Sequence, residues 1–180
     1  MTIRPANPRC IIWFTGLSGA GKTTIAMQAA EGLNARGYRA VLLDGDAMRK
    51  GLSSDLGFST ADRSENLRRA AEVAAMLADA GLIVLAAFIT PLGIDRDRIR
   101  KRLAEYRFVE AFVSTPLEVA EQRDPKGLYR RARRGELLEF TGIDSPYELP
   151  DRYDVRLDTT TTPAETLARV VVDEVLRRIA

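Results

Sequence analysis

The residues Gly16-Leu17-Ser18-Gly19-Ala20-Gly21-Lys22-Thr23 fit the spacing G-x-x-x-x-G-K-[ST] at every position. Each residue type has a physical task in that pattern. Glycines let the backbone turn tightly and aim N–H groups at phosphate oxygens, and the start of a following helix adds partial positive charge. Lys22 can reach the β- and γ-phosphates of a nucleoside triphosphate such as ATP, and the Thr23 hydroxyl can ligate Mg²⁺. Thr24 continues the same helix start and is grouped with the nucleotide-contacting positions. Two further candidates, Asp44 and Asp46, close an apolar run. Carboxylates at such a place can hold Mg²⁺ or take the proton of an attacking hydroxyl; the plainer alternative is that Asp46 caps the next helix.

Groups so far apart in the chain must be brought together by a regular frame, and the hydrophobic pattern supplies one. Short apolar runs recur at Cys10–Phe14, Ala40–Leu43, Leu82–Phe88 and Phe108–Val113, with a weaker one at Val155–Leu157. Nearly continuous apolar runs are what strands covered on both faces require. Between them, Lys22–Ala35 and Asp62–Ala80 have helical character, the second with a capping-box-like start at Asp62 and Glu65 and a stop at Gly81. Leu117–Gln122 and Pro163–Ile179 read as further helices, with Pro163 at a first-turn position. This alternation predicts an α/β protein of three layers, a five-stranded parallel sheet flanked by helices, in one domain over residues 1–180. The stretch Asp124–Pro150 is rich in Arg, Gly and Pro and lacks a clean period, as a lid or binding loop would.

Composition narrows the chemistry further. The 180 residues include no histidine, which excludes a His-based triad and His-ligated zinc. A single cysteine, Cys10, cannot form an internal disulfide. The longest apolar stretch, Leu82–Ile89, is too short to cross a bilayer, so the expected compartment is the cytoplasm and no membrane partner is implied. With 27 Lys+Arg against 25 Asp+Glu, the net charge of +2 gives no argument for a nucleic-acid partner. A guanine-reading Asn/Thr-Lys-x-Asp segment is also missing, which speaks against a regulatory GTPase. The basic run Arg123–Arg134 favours a kinase, because a closing lid could bring arginines onto a transferring phosphoryl group; a solvated helix face is the plain alternative.

Four blocks in order carry a family resemblance, from about Ile12 to Thr159. They are the glycine-rich loop; Leu43-Asp44-Gly45-Asp46 with Arg49 and Gly51-Leu52; Asp55-Leu56-Gly57-Phe58 with Asp62-Arg63-Ser64-Glu65-Asn66-Leu67-Arg68-Arg69; and Arg123-Asp124-Pro125-Lys126-Gly127-Leu128-Tyr129, closing in Phe140-Thr141-Gly142-Ile143-Asp144-Ser145-Pro146-Tyr147-Glu148. The chain resembles the adenylylsulfate kinases, a family of P-loop kinases. The resemblance implies transfer of the ATP γ-phosphoryl group to the 3′-hydroxyl of adenosine 5′-phosphosulfate, with Mg²⁺ as cofactor. It also implies a homodimer and an association with ATP sulfurylase.

Roles for individual residues follow from the same resemblance. Asp46 becomes the candidate near the acceptor hydroxyl, with Asp44 in support. Arg49, Arg63 and Asn66 match substrate-contacting positions, and a phosphate–sulfate anhydride calls for arginines able to make bidentate contacts. Phe58 and Phe140 match the aromatic pair that holds the substrate adenine. Lys126 matches a lid lysine on the substrate, and Arg123 faces the nucleotide from the same lid. Ile89 and Thr90 are positional matches on the substrate side, in a stretch that departs from the family. Members usually read Phe-Ile-Ser-Pro-Tyr-Arg, with a serine that is phosphorylated in some; here the stretch is Phe88-Ile89-Thr90-Pro91-Leu92-Gly93. In-line transfer between two bound substrates needs no phosphoryl-enzyme, so Thr90 is not expected to be catalytic. That departure leaves open a kinase of the same build acting on another nucleotide-like or small alcohol; a nucleotide-binding module serving a sulfurylase or GTPase partner is a third reading, against which the retained lid and acceptor-site residues argue.

Overall fold

The computed structural model describes residues 8–180. The five apolar runs become strands β1 (Cys10–Thr15), β2 (Ala40–Asp44), β3 (Ile83–Ala87), β4 (Arg107–Ser114) and β5 (Val155–Asp158). They form one parallel sheet in the order β2-β3-β1-β4-β5. Central β1 and β3 are buried at every residue, whereas β2, whose run Ala40–Leu43 is equally apolar, is only partly covered because it stands at the edge and pairs on one side.

Helices cover both faces. On one face α1 (Lys22–Asn34) and α7 (Ala164–Ile179) pack Ile25, Ala29 and Leu33 with Leu167, Val171 and Val175 against Ile12, Phe14 and Leu85. On the other, α3 (Thr60–Asp79) lays Leu67, Ala70, Ala71, Ala74, Ala75 and Ala78 over Ile11, Trp13, Val84 and Ala86, joined by Ile99 and Leu103 of α4 (Gly93–Arg102) and just beyond it. An alanine stripe lets α3 approach the sheet closely, and the bulky Trp13 fills what it leaves, stacked on Phe88 with ring centroids 5.0 Å apart.

Four local features differ from the expectations above. The N-cap of α3 is Ser59, not a box at Asp62 and Glu65: Ser59 Oγ accepts from Asp62 N (3.2 Å) and donates to its carboxylate (2.8 Å). Glu65 instead binds Arg68 and Arg69, because a serine at the true boundary offers a shorter reach to the free amide. Pro163, at ψ 146°, is the extended residue before α7 rather than its first turn. Two short or polar helices have no apolar stripe to announce them: α2 (Gly45–Lys50), and α4, whose buried residues include Asp95 and Arg96. Finally, α5 (Leu117–Arg123) is followed within the supposed loop by α6 (Leu128–Arg133).

Candidate active site

The parallel sheet delivers the chemistry-bearing loops to the carboxyl ends of its strands, where open α/β sheets place ligands. From the end of β1 the chain turns through Gly16, Gly19 and Gly21 at φ 150°, 72° and 103°. A Cβ on Gly16 would lie 2.7 Å from the Val113 carbonyl oxygen, so only glycine lets the loop pass β4 this closely. Gly21 precedes α1 without any side-chain cap, which leaves the first amides of that helix open to an anion. Inside the loop Lys22 is buried, donating from Nζ to the carbonyls of Gly16 (2.9 Å) and Leu17 (2.7 Å). Burial pulls its ammonium down to about 8; the Lys126 charge adds to the fall, and Asp46 and Asp44 oppose it. The Tyr129 hydroxyl donates to the Ser18 carbonyl (2.9 Å), which ties α6 to the loop from outside, while burial pushes that phenol up to about 12.

Thr23 Oγ1 donates to Asp44 Oδ2 at 2.8 Å, so a hydroxyl and a carboxylate meet beside the opening of the glycine loop. Asp44, rather than Asp46, is the cap of α2: its other oxygen accepts from the amides of Asp46 (2.9 Å) and Ala47 (3.3 Å). The capping expectation attached to Asp46 therefore belongs to Asp44, because the cap position falls on the last residue of β2. Released from that duty, the Asp46 carboxylate is exposed and ion-paired with Lys126. Thr24 is exposed next to Thr23.

Elsewhere α2, the 57–58 segment and α3 bring Arg49, Phe58 and Arg63 together, and Asn66 follows Arg63 by one turn of α3. Arg49 donates to the Gly57 carbonyl (2.7 Å) and lies 4.5 Å from the Phe58 ring centroid. Arg63 donates to the Phe58 carbonyl (2.8 Å), to Thr141 Oγ1 (3.1 Å) and to the Glu139 carbonyl. It thereby holds the neighbours of Phe140 in place. Desolvation lowers both guanidinium groups from their ordinary value, yet an arginine keeps its charge through such a fall. Phe140 packs edge-on against Tyr129 with ring centroids 5.0 Å apart, whereas Phe58 is 58% exposed. Asn66 is buried, and its Oδ1 has no hydrogen-bond partner. A buried orphan acceptor points to an absent donor.

The remaining candidates fall into two groups. Ile89 presents its carbonyl to the Gly16 amide (3.2 Å) and to Thr15 Oγ1 (2.8 Å). Thr90, 1% exposed, accepts from the Trp13 indole at 2.9 Å, so its hydroxyl serves the fold. On the far side, Arg123 donates to Oγ1 (2.9 Å) and the carbonyl (2.6 Å) of Thr159, whose methyl lies 3.7 Å from where a Cβ on Gly21 would stand. Of the rest of the basic run, Lys126 reaches Asp46, while the four arginines that follow pair with nearby acids. Arg130 pairs with Asp124, Arg133 with Glu121, and Arg131 and Arg134 with Glu136, which is the solvated-face alternative. Sequence reasoning passed over Tyr129, Tyr147, Thr159 and Arg96 as site builders; the first two lie in blocks quoted above, but nothing in their spacing marks them as anchors.

Comparison with known proteins adds an independent line. The Adenylylsulphate kinase family description matches residues 8–158. The chain belongs to the adenylylsulphate kinase family. Among similar relatives, an adenylyl-sulfate kinase of Marinobacter nauticus is 57% identical over 151 residues, covering 84% of this chain and 76% of that one. A bifunctional enzyme, NodQ, of Azospirillum brasilense is 51% identical over 175 residues, 97% of this chain but 28% of its own length. Among solved structures, the Mycobacterium tuberculosis APS kinase CysC in complex with AMPPNP and APS superposes with a TM-score of 0.90 at 49% identity, covering 93% of this chain and 97% of that one. No helix among the described residues is long and apolar enough to cross a membrane.

Proposed function

We propose that this protein is an ATP-dependent phosphotransferase that moves the γ-phosphoryl group of ATP to the 3′-hydroxyl of adenosine 5′-phosphosulfate, giving 3′-phosphoadenylyl sulfate. One observation carries the reading: within a family-length match, Arg49 and Arg63 gather about the exposed Phe58 ring, and Asn66, one helical turn beyond Arg63, keeps a buried acceptor without a partner.

The residues divide the work. The loop from Gly16 to Gly21, through amides not already bonded within the fold, binds the triphosphate together with the Lys22 ammonium and spreads its charge. Arg49 and Arg63 hold the phosphosulfate, and Phe58 and Phe140 stack on its adenine. The Asn66 orphan oxygen accepts from a substrate hydroxyl. Asp46 takes the proton of the 3′-hydroxyl as that oxygen bonds to the γ-phosphorus and the bond to the β–γ bridging oxygen breaks. Lys126 leaves Asp46 for the substrate anion, and Arg123 with Thr159 borders the nucleotide. Residues fit Mg²⁺ as well. Thr23 Oγ1 with Asp44 Oδ2 gives the hard oxygen donors such an ion takes. When bound, Mg²⁺ supplies charge neutralisation across the β- and γ-phosphates.

The reading brings with it a basic lid over about 124–150, a single kinase domain, a homodimer, ATP sulfurylase as an associated enzyme and the cytoplasm as compartment. The bifunctional relative supports looking for a second activity nearby. Purified protein given MgATP and adenylylsulfate should release ADP only when both are present, with 3′-phosphoadenylyl sulfate as product. Absence of that product, alongside turnover of a different alcohol, would overturn the assignment.

A further inference from the structure

Two buried charges play no part in the mechanism above. Arg96, on α4, is 7% exposed and Glu110, on β4, is 3% exposed. Such groups persist only when paired and hydrogen-bonded. Glu110 stands beside Trp13 in the β1–β4 register, with Oε2 accepting from Arg100 at 2.6 Å. Its Oε1 has no hydrogen bond; the Nε of Arg96 lies 3.9 Å away as a charge partner only.

Arg96 directs its donors elsewhere. Nη1 reaches the carbonyls of Thr90 (3.1 Å) and Pro91 (3.2 Å), and Nη2 lies 3.5 Å from that of Leu149. One guanidinium thus joins the loop after β3 to the segment that closes the acceptor side. Glu148 binds the same loop through Pro91 (2.9 Å) and Gly93 (2.6 Å), and Tyr147 meets Thr15 at 2.9 Å. Thr90 has φ 47°, a strained conformation for a β-branched residue that survives only where its surroundings impose it. Trp13 grips its hydroxyl and Arg96 its carbonyl. The residue before it, Ile89, anchors the first glycine of the phosphate loop.

We propose that Arg96, its charge balanced by Glu110, is a positioning residue for phosphoryl transfer: it locks the strained Ile89–Thr90 turn and so fixes the phosphate loop relative to the acceptor side. The inference rests on the kinase reading above. Lysine keeps the charge, but its one shorter-reaching ammonium cannot meet Thr90 and Pro91 on one side and Leu149 on the other, as the separate nitrogens of the planar guanidinium do. Arg96→Lys should therefore lower kcat by about tenfold or more while the KM for ATP changes less than about threefold, since misplacement costs rate rather than ATP binding. The pair Arg96→Met with Glu110→Gln leaves no lone buried charge at either position but gives up the Arg100–Glu110 ion pair, so it should melt below the parent, remain folded, and share the low kcat. Parental kcat in either variant, or a loss that only tracks the unfolded fraction, overturns the proposal. Should the double variant not fold, Arg96→Lys decides alone. A second readout is independent of substrate identity: Trp13 is the single tryptophan, so loosening Thr90 should change its emission in the ligand-free Arg96→Lys protein. Unchanged emission overturns the positioning role. A parent that gives no product from adenylylsulfate overturns the kinase reading instead, and the emission test still stands.

Discussion

Removing the Phe58 ring separates base stacking from everything else on the acceptor side. The side chain is 58% exposed and belongs to neither core cluster; among its ring contacts are the guanidinium groups of Arg49 and Arg63 at 4.5 and 5.7 Å. Exposed cation–π contacts of this kind are worth about 0.5–1 kcal/mol each, so Phe58→Ala should cost no more than about 1–2 kcal/mol of stability. Both arginines stay in place, because they are held by the backbone carbonyls of Gly57 and Phe58, which the substitution keeps. What disappears is the aromatic face that the proposed function assigns to one side of the substrate adenine. Base–aromatic stacking contributes about 1–3 kcal/mol, which converts to a rise of about 5- to 150-fold in the KM for adenylylsulfate. The KM for ATP should stay within about twofold.

Phe140→Ala is the control that should behave differently. Its ring meets Tyr129 edge-on at 5.0 Å, and Tyr129 holds the Ser18 carbonyl of the phosphate loop. Losing an edge-on aromatic contact of about 0.5–1.5 kcal/mol should loosen that tie and raise the KM for ATP several-fold as well. Coupled ADP-release kinetics with each substrate varied, beside denaturant midpoints, read both variants. A Phe58→Ala enzyme whose two KM values rise together, or whose adenylylsulfate KM stays parental, would refute the stacking role.

Lys22→Met should reduce turnover by several orders of magnitude yet melt no lower than the parent near pH 7, because the native site holds this ammonium below its ordinary 10.5 and burying it costs the empty fold. Calorimetry of the ligand-free proteins, with single-turnover rates, checks both halves. The same lowered value, about 8, sets a pH dependence: the terminal phosphate has already lost its second proton near pH 6, so kcat/KM for ATP should fall about tenfold per unit above pH 8 as free enzyme loses the Lys22 proton. Lys126→Met removes a positive neighbour that lowers Lys22, so the falling limb should move to higher pH; a limb that stays put would contradict the coupling.

How much of this was legible depended on whether a residue's signal was local. The central strands could be read because β1 and β3 bury every residue and β4 buries five of its eight, which leaves apolar runs in the sequence, interrupted in β4 only by Glu110. The helix α4 could not, since it buries Asp95, Arg96 and Ile99, and two of those three look like surface residues. At the site, the glycine loop was readable because glycine, lysine and threonine must follow at fixed spacing to build it. The capping duty of Asp44 was not, because the boundary between β2 and α2 falls inside a run with no apolar period to mark it. Thr159 and Tyr129 are contacts across 36 and 111 positions, and such pairings leave no trace in spacing.

The segment expected to act as a lid is tied down at both ends, and this confines where it can open. Asp124 caps α6 by accepting from the amides of Tyr129 (3.0 Å) and Arg130 (3.1 Å), and Tyr129 bonds Ser18. Downstream, Arg63 fixes Glu139 and Thr141, and Tyr147 meets Thr15. Between these anchors, Arg133 to Glu136 are exposed, and their side-chain pairs run to Glu121 or within the stretch itself. Few buried contacts mean a low cost of local opening, so limited trypsin digestion of the ligand-free protein should cut first after Arg133 or Arg134. MgATP with adenylylsulfate should slow that cut if the segment closes over both. First cleavage after Arg123 or Lys126 would mean that α6 releases the phosphate loop as a whole, and the anchoring by Tyr129 would then be too weak to set the position of Ser18.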